Sequence, residues 1–465
     1  MLRTSASIFL ICVLRSLVFA QTPPSNPFFV NSPFPAVHGG NYRQASQTLP
    51  GPTTNQLDVI YTDVPDRTAS PWILYSDKYP NGERVMWLKN GTHVFKVLTT
   101  KTGLEVVATF PEGSKFKPNY NLLLFNNHEL WFKRGNEFTV LTEADPSNPR
   151  SAIIVKRQFT VQGFDGELVK QGVLYDGNVV FTTKSNEIGV INRDGKVLDR
   201  LRFTVSRKDI PYHNDFAIDE KNNVYIVSNT VMLSFGWDGK KLKENWRAPY
   251  DFGGNRLQGS GTTPTLVGVG DGMDKLGVVC DSHTPANMVA FWRETPPTNW
   301  QALPGQSRQL AGVCALPGAR PPRFLFTAIE NSPVCWGYGI AAAQYNGFMG
   351  QSCNNLKGVY KCEWNPVTRK LELAWVRNDI NFNNVLAMST VSGLLYGSGR
   401  EQDCNYYYYG LDWKTGQTAW RLRLGRTDEY DDPGDANVLD ETGNLTFTTR
   451  RGIVQLRSRN RDLRR

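Results

Sequence analysis

His283 is the residue of this 465-residue chain whose surroundings best suit acid–base chemistry. Asp281 and Ser282 precede it and Thr284-Pro285 follow it, so a short, stiff turn would hold the imidazole for proton transfer or hydrogen bonding. A turn histidine that bonds only to its own backbone would have the same sequence pattern. Both interpretations stay open at this stage.

Other polar residues fall at similar turns of the predicted strands. Glu330 and Arg400 are expected to end second strands in neighbouring repeat units, where they could clamp a substrate or form a salt bridge between units. His213 precedes a predicted strand and could be catalytic or cap the start of that strand. The predicted catalytic residues are His283, Glu330, Arg400 and His213, and the predicted polar substrate-binding residues are Thr263, Asn287 and Asn384.

Residues 332–357 are predicted to be an insertion that covers this site. The segment contains Trp336, Tyr338, Tyr345 and Phe348 among several glycines, a composition suited to an aromatic lid over an apolar ligand. Trp336 and Tyr338 are the predicted apolar contacts. A surface loop at the edge of the site that has no function could have the same composition.

Two common catalytic signatures are missing from the sequence. No GxSxG motif is present, and none of the five histidines stands at metal-binding spacing from another, so neither a serine hydrolase nor a zinc enzyme is indicated. We therefore predict no metal site.

A repeat of roughly 40 residues, with four short strands in each unit, must position these turns. It predicts an all-β protein, an eight-bladed β-propeller of four-stranded antiparallel blades. Seven blades is the competing count. The last unit is one strand short, and LDVIYTDV at 57–64 is placed to complete it. The units are assigned to 72–110, 121–161, 172–205, 215–250, a fifth containing 259–294, a sixth from 310, 384–425 and 436–456.

The chain ends and cysteines indicate a secreted protein. Residues 1–20 have the pattern of a signal peptide, 21–56 are an extended arm, 57–456 the propeller and 457–465 a basic tail. No later stretch is apolar enough to span a membrane, so stable membrane insertion is not expected. The basic tail alone is weak evidence for nucleic-acid binding, so nucleic acid is not an expected partner. The remaining sites are disulfides Cys353–Cys404 and Cys280–Cys335 and glycosylation at Asn90 and Asn444.

The segment from Tyr409 to Trp420, YGLDWKTGQTAW, resembles the repeat of pyrroloquinoline-quinone dehydrogenases, in which an Asp, a Thr-Gly turn and a Trp dock adjacent blades. Looser copies occur at 363–375 and 237–246. The resemblance implies blade construction, with structural tryptophans. Those enzymes also hold their quinone with a vicinal cysteine pair, and this sequence has no Cys-Cys.

The phrases GSGTTPT at 259–265 and HTPANMVAFW at 283–292 resemble fungal hetero-Diels–Alderases of tropolonic sesquiterpenoid biosynthesis. This resemblance implies dehydration of a hydroxymethyl tropolone-type precursor to a quinone methide, which then adds to an apolar terpene such as humulene. It implies small apolar or aromatic partners and no cofactor. The alternatives are a quinone- or sugar-oxidising propeller and a secreted ligand-binding propeller without catalysis.

Overall fold

The computed structural model describes residues 22–67, 72–111, 122–206, 214–253, 260, 262–322, 327–347, 352–433 and 437–459. Within these ranges the strands form eight antiparallel blades arranged in a ring, which confirms the predicted eight-bladed propeller and rules out seven blades. Each blade has four strands, and its first strand is the innermost. The predicted signal peptide lies outside the described residues.

The first four blades follow the chain without exchange of strands. Their strands are β3 (Trp72–Tyr75), β4 (Val85–Lys89), β5 (His93–Thr99) and β6 (Leu104–Pro111); β7 (Leu123–Leu124), β8 (Leu130–Arg134), β9 (Glu137–Glu143) and β10 (Ile153–Thr160); β11 (Leu168–Val173), β12 (Val179–Thr183), β13 (Glu187–Ile191) and β14 (Val197–Arg202); and β15 (Ala217–Ile218), β16 (Asn223–Val227), β17 (Val231–Trp237) and β18 (Leu242–Pro249).

The last four blades also recruit two strands from the N-terminal segment, β1 (Ser46–Gln47) and β2 (Leu57–Asp63). Blade 5 has β19 (Thr265–Val267), β20 (Leu276–Cys280), β21 (Asn287–Trp292) and β22 (Leu310–Ala315); blade 6 has β23 (Val334–Trp336), β24 (Gly339–Ala343), β25 (Val359–Asn365) and β26 (Lys370–Arg377); blade 7 has β27 (Ala387–Ser389), β28 (Leu394–Arg400), β29 (Tyr406–Asp412) and β30 (Thr418–Gly425); blade 8 has β31 (Asn437–Leu439), β32 (Leu445–Thr448) and β33 (Gly452–Ser458). Short 3₁₀ helices cover Val37–Gly39, Pro65–Arg67 and Asp428–Tyr430.

Burial explains why the inner strands and the outer strands have different sequence patterns. Every residue of β4 and β17 is buried, because the middle of each blade packs between two neighbouring blades. The outer strand β14 instead alternates between half-buried and exposed residues. The hydrophobic core is therefore divided into clusters that lie between successive blades, such as the one shared by blades 5 and 6.

The ring closes as the sequence predicted. β2 pairs antiparallel with β33 from Leu57 opposite Ser458 to Asp63 opposite Gly452, so the segment before blade 1 supplies the fourth strand of blade 8. Because β33 runs to Ser458, the first residues assigned to the basic tail belong to this strand.

The predicted boundary between blades 5 and 6 was wrong. The strand near residue 310 is β22, which pairs with β21 as the outer strand of blade 5. The segment 332–357 is therefore no insertion, because it contains β23 and β24, the first two strands of blade 6. The misassignment arose because residues 293–309 form an unusually long connection between β21 and β22, which moved the apparent repeat boundary.

The tryptophans of the repeat dock neighbouring blades, as the quinoprotein-like motif implied. Trp246 in β18 donates its indole N–H to the carbonyl of Arg293 at 3.0 Å, and Trp375 in β26 donates to that of Trp413 at 3.1 Å. Trp420 in β30 donates to the carbonyl of Pro52 at 2.8 Å. Each bond joins an outer strand to the next blade or to the segment leading into it.

The N-terminal arm lies inside the ring and bonds to the inner strand of every blade. β1 pairs parallel with β27, and the rest of the arm contacts the other inner strands in turn. Its bonds in blades 1 to 8 are Tyr75 N–H to Phe34 O, Val30 N–H to Leu124 O, Asn26 Nδ2 to Val173 O, Ile218 N–H to Asn41 O, Leu266 N–H to Tyr42 O, Cys335 N–H to Gln44 O, Met388 N–H to Ala45 O and Leu439 N–H to Gln47 Oε1. The arm thus fills the channel.

Two disulfides link adjacent blades, and one of them was predicted. Cys353 pairs with Cys404 and joins the second-to-third connections of blades 6 and 7, as expected. Cys314 in β22 pairs with Cys362 in β25. The predicted Cys280–Cys335 bond is wrong, because both residues are buried within strands as free thiols rather than exposed on facing turns.

Candidate functional site

We call the face where the inner strands begin and the second-to-third turns lie the His283 face. Asp281 is only 1% exposed and organises the turn between β20 and β21. One of its oxygens accepts the backbone N–H groups of His283 at 3.1 Å and Asn287 at 2.7 Å. The other lies 2.8 Å from both His283 Nδ1 and Asn287 Nδ2. A carboxylate in this position holds the imidazole with its proton on Nδ1.

The opposite ring nitrogen of His283 points to a second carboxylate. Its Nε2 lies 3.3 Å from Asp251 Oδ2, and the side chains of His283 and Asp251 are 34% and 75% exposed. Burial acts to lower the pKa of His283, but Asp281 and then Asp251 outweigh it and raise the pKa above its usual value. The raised pKa favours the protonated ring, which can donate a proton from Nε2.

The connection from blade 4 to blade 5 presses against this turn. The backbone N–H of Ser282 donates to the carbonyl of Phe252 at 2.9 Å. Gly253 has φ of 88°, and a side-chain carbon at that position would lie 2.4 Å from the backbone nitrogen of His283. Only glycine fits there, so the position of His283 depends on two blades.

A polar ring surrounds the channel on the same face. The backbone N–H of Asp215 donates to the Thr263 hydroxyl at 3.2 Å, and that of Thr263 donates to the Ser332 hydroxyl at 3.2 Å, which links blades 4, 5 and 6. Arg43 of the arm forms an ion pair with Asp215 at 2.9 Å, and both side chains are buried. Next to Ser332, the buried amide nitrogen of Asn331 has no hydrogen-bond partner within the described part of the chain.

The ring continues into blades 7 and 8 through Asn384. Its Nδ2 donates to Asp432 at 2.7 Å, and its Oδ1 accepts the backbone N–H of Ser398 at 3.1 Å. The residue is fully buried, so its amide serves blade contacts. Arg400 ends β28, as predicted, donates from Nε to the carbonyl of Cys404 at 3.1 Å and lies over the ring of Tyr406.

Among the other predicted site residues, Glu330 lies elsewhere than expected. Glu330 precedes β23, the first strand of blade 6, and does not end a second strand. Asn287 is engaged with Asp281 and helps to shape the turn. His213 and Phe348 lie outside the described residues.

The predicted aromatic lid was wrong. Trp336 and Tyr338 flank the hairpin between β23 and β24, which is a first-to-second turn and lies on the face opposite His283. Trp336 packs near Trp413 of blade 7, and the Tyr338 hydroxyl accepts the backbone N–H of Asp274 in blade 5 at 2.7 Å. Both residues dock blades. Tyr345 remains on the His283 face, in the connection between β24 and β25.

The predicted glycosylation sites are buried. Asn90 donates from Nδ2 to the carbonyl of Pro65 at 2.7 Å, and Asn444 donates to Asp440 at 2.7 Å. A glycan on either side chain would have to displace these contacts. The turns were correctly located, but the sequence motif carries no information about burial.

Three partners in this region were missed from the sequence. Arg43 was assigned to an extended arm, Asp251 follows an outer strand without a motif, and Asp432 lies in a connection with no distinctive spacing. Asp251 and Asp432 share one signal, a charge beside the start or end of a blade, and Arg43 does not have even that. That signal is common to many surface residues, so it could not have singled them out.

No family model matches the chain. It is 26% identical over 442 residues to a protein of Archaeoglobus fulgidus described as uncharacterized, which covers 87% of this chain and 83% of that one. A europium-containing methanol dehydrogenase superposes with a TM-score of 0.57 at 10% identity, covering 92% of this chain and 91% of that one. The quinohemoprotein alcohol dehydrogenase of Comamonas testosteroni gives 0.54 at 10% identity, covering 91% and 80%. The structural likeness establishes the propeller fold alone.

The residues present do not fit the quinone site of such dehydrogenases. The sequence has no adjacent cysteine pair, and its two disulfides join different blades. In the described ranges, no group of three or more His, Cys, Asp or Glu side chains could hold a metal ion. In the same ranges, no helix combines the length and apolar character needed to cross a bilayer.

Proposed function

We propose that the protein is a secreted enzyme of secondary metabolism that acts on small aromatic and apolar molecules at the His283 face. Its activity would resemble that of hetero-Diels–Alderases, which join a tropolone-type quinone methide to a terpene such as humulene. The observation that carries the proposal is the His283 turn, where a buried carboxylate fixes one ring nitrogen and leaves the other near the surface. The two disulfides are compatible with secretion.

The geometry suits loss of water from a hydroxymethyl group. The imidazolium of His283 would donate its Nε2 proton to the departing hydroxyl, which leaves as water. The proton of the ring hydroxyl would then restore the imidazolium, so the net change is removal of one water and formation of the quinone methide. Asp281 stabilises the charged imidazolium and keeps the ring oriented throughout.

Cycloaddition then requires that the quinone methide and the terpene be held together. Phe252 and Tyr345 are partly exposed on the His283 face, and Phe252 lies beside the turn, where its carbonyl accepts the backbone N–H of Ser282. Alignment of two reactants lowers the entropic part of the barrier, and no step in this scheme is assigned to a cofactor.

The test is turnover by the purified, secreted protein. A hydroxymethyl tropolone would be incubated with humulene, and the cycloadduct would be followed by liquid chromatography and mass spectrometry against a protein-free reaction. We expect a faster rate and one dominant stereoisomer. Unaccelerated reaction together with tight binding of the tropolone would favour a non-catalytic ligand-binding propeller. A quinone released on denaturation would instead favour the oxidoreductase alternative.

A further inference from the structure

On the face opposite His283, a buried carboxylate bonds to titratable side chains of two blades. Glu143 ends β9 of blade 2, and its side chain is only 1% exposed. One of its oxygens accepts hydrogen bonds from the ammonium of Lys96, at 2.6 Å, and from the hydroxyl of Tyr79, both in blade 1. The other oxygen lies 3.3 Å from Nδ1 of His128, in the first-to-second turn of blade 2. The cluster therefore joins the two blades.

His128 is the member of this cluster that reaches solvent. Its side chain is 29% exposed, whereas those of Lys96 and Glu143 are buried, so protons from water can reach the imidazole. A second carboxylate, the half-buried Asp77 of blade 1, also acts on the ring by its charge. Glu129, which follows His128 in the chain, is paired with basic residues of β10 instead.

The charges of the cluster balance when His128 is protonated. With a neutral imidazole, the carboxylates of Glu143 and Asp77 face the ammonium of Lys96 alone, and protonation supplies a second cation. The hydrogen bond to Glu143 raises the pKa of His128 above its usual value. The charges of Glu143 and Asp77 act in the same direction, against the opposing effects of burial and Lys96.

The same two turns hold residues 27–31 of the arm. Asp77, in the first-to-second connection of blade 1, accepts the backbone N–H of Asn31 at 2.7 Å. In blade 2, two residues before His128, Asn126 donates its backbone and side-chain N–H groups to two carbonyls of the segment at 2.9 and 2.8 Å. His128 thus lies in one of the two turns and attracts the carboxylate of the other.

We propose that protonation of His128 fastens residues 27–31 to blades 1 and 2, so that the arm is held firmly in acidic surroundings and loosens locally as the pH rises. The imidazolium attracts Asp77 and keeps it where it accepts the N–H of Asn31. The segment forms part of the wall of a cavity of about 540 Å³, so its release would open this end of the channel to solvent. The proposal does not rest on the function suggested for the His283 face.

The direction of the pH effect follows from the position of Asp77. When the segment is fastened, Asp77 faces His128, and this state binds the proton more tightly than a state in which Asp77 has turned into solvent. Fastening is therefore fully favoured at low pH. Since the pKa of His128 is raised, this preference is lost as the pH rises above the ordinary histidine value of about 6.5.

Hydrogen–deuterium exchange of the purified protein, read by mass spectrometry, tests the proposal. After correction for the intrinsic effect of pH on exchange, amides of residues 27–31 should be about threefold or more better protected at about pH 6 than at about pH 8.5. His128→Gln carries no charge at either pH and should abolish this difference. The amide of Ala45, which bonds to the carbonyl of His38 farther along the arm, should show no such change.

His93→Gln is the matched control, because it removes a partly buried histidine beside a carboxylate on the other face and should keep the wild-type difference. Asp77→Asn can still accept the N–H of Asn31 but no longer attracts an imidazolium, so the difference should shrink. Equal protection at the two pH values in the wild type, an undiminished difference in His128→Gln, or an equal change at Ala45 would each overturn the proposal. If His128→Gln does not fold, an undiminished difference in Asp77→Asn does so.

Discussion

The two ends of the channel are closed by different kinds of contact. Near the face opposite His283, the arm bonds mainly through backbone groups to the inner strands, and such pairing tolerates many side chains. On the His283 face, the contacts are made by specific side chains, such as Arg43 of the arm with Asp215 and Asn384 of blade 7 with Asp432. Substitutions of side chains should therefore have their largest effects on the His283 face.

The same contrast separates two histidine turns on that face. His283 lies in the second-to-third turn of blade 5, and His93 begins the third strand of blade 1 directly after the corresponding turn. Both lie near a carboxylate. The partner of His283 is Asp281, which is buried, whereas the partner of His93 is Asp66, which is about half exposed. A buried carboxylate fixes a ring far better than a solvated one, so His283 is the better candidate for proton transfer.

The largest effect is expected at the buried ion pair between the arm and blade 4. Arg43→Met leaves Asp215 charged and unpaired and should lower the free energy of unfolding by about 3–5 kcal/mol, measured by urea denaturation. Arg150→Met is the control, because its pair with Glu105 is exposed and should change stability by about 1 kcal/mol or less. Equal losses in the two variants would show that the arm is not anchored by this contact.

The next effect concerns the disulfide that joins blades 6 and 7 on the His283 face. Replacing Cys353 and Cys404 together by serine should lower the free energy of unfolding by about 2–4 kcal/mol, since the bond closes a long loop in the unfolded chain. Replacing Cys280 by alanine is the comparison, because this buried cysteine lies in a strand and forms no disulfide. An unchanged urea midpoint in the double variant would contradict the assigned pairing.

The two histidine turns can be compared directly by turnover. His283→Gln should slow the proposed reaction by about 10²-fold, because the imidazolium that protonates the leaving hydroxyl is lost. His93→Gln removes a histidine beside the corresponding turn four blades away and should keep the wild-type rate. Similar rates for both variants, with folding verified by circular dichroism, would exclude His283 from the mechanism.

The sequence predicted the architecture because the repeat is dense in turns and because one missing strand required a partner, which 57–64 supplied. It also located the His283 turn, whose residues are all local. It failed for Trp336, because a long connection in blade 5 shifted the repeat boundary and so the face. It could not predict Arg43 beside Asp215, since that contact depends on how the arm lies in the channel.

The smallest effect sharpens the role of Asp281. Asp281→Asn keeps the shape of the side chain but removes the charge that stabilises the imidazolium, so the pKa of His283 should fall toward its usual value. Nuclear magnetic resonance of the ring protons would measure this fall, with the His93 resonance as the internal control. An unchanged His283 titration would mean that Asp281 shapes the turn without acting on the ring.

The same substitution should alter how stability depends on pH. The pKa of His283 is raised in the folded state, so its contribution to stability is complete below the unfolded pKa of about 6.5 and is lost as pH rises through the higher folded value. Urea unfolding of the wild type should therefore show a decline above about pH 6.5 that is smaller in Asp281→Asn. Parallel pH profiles would show that the raised pKa arises elsewhere, with the exposed Asp251 as the remaining carboxylate close to the ring.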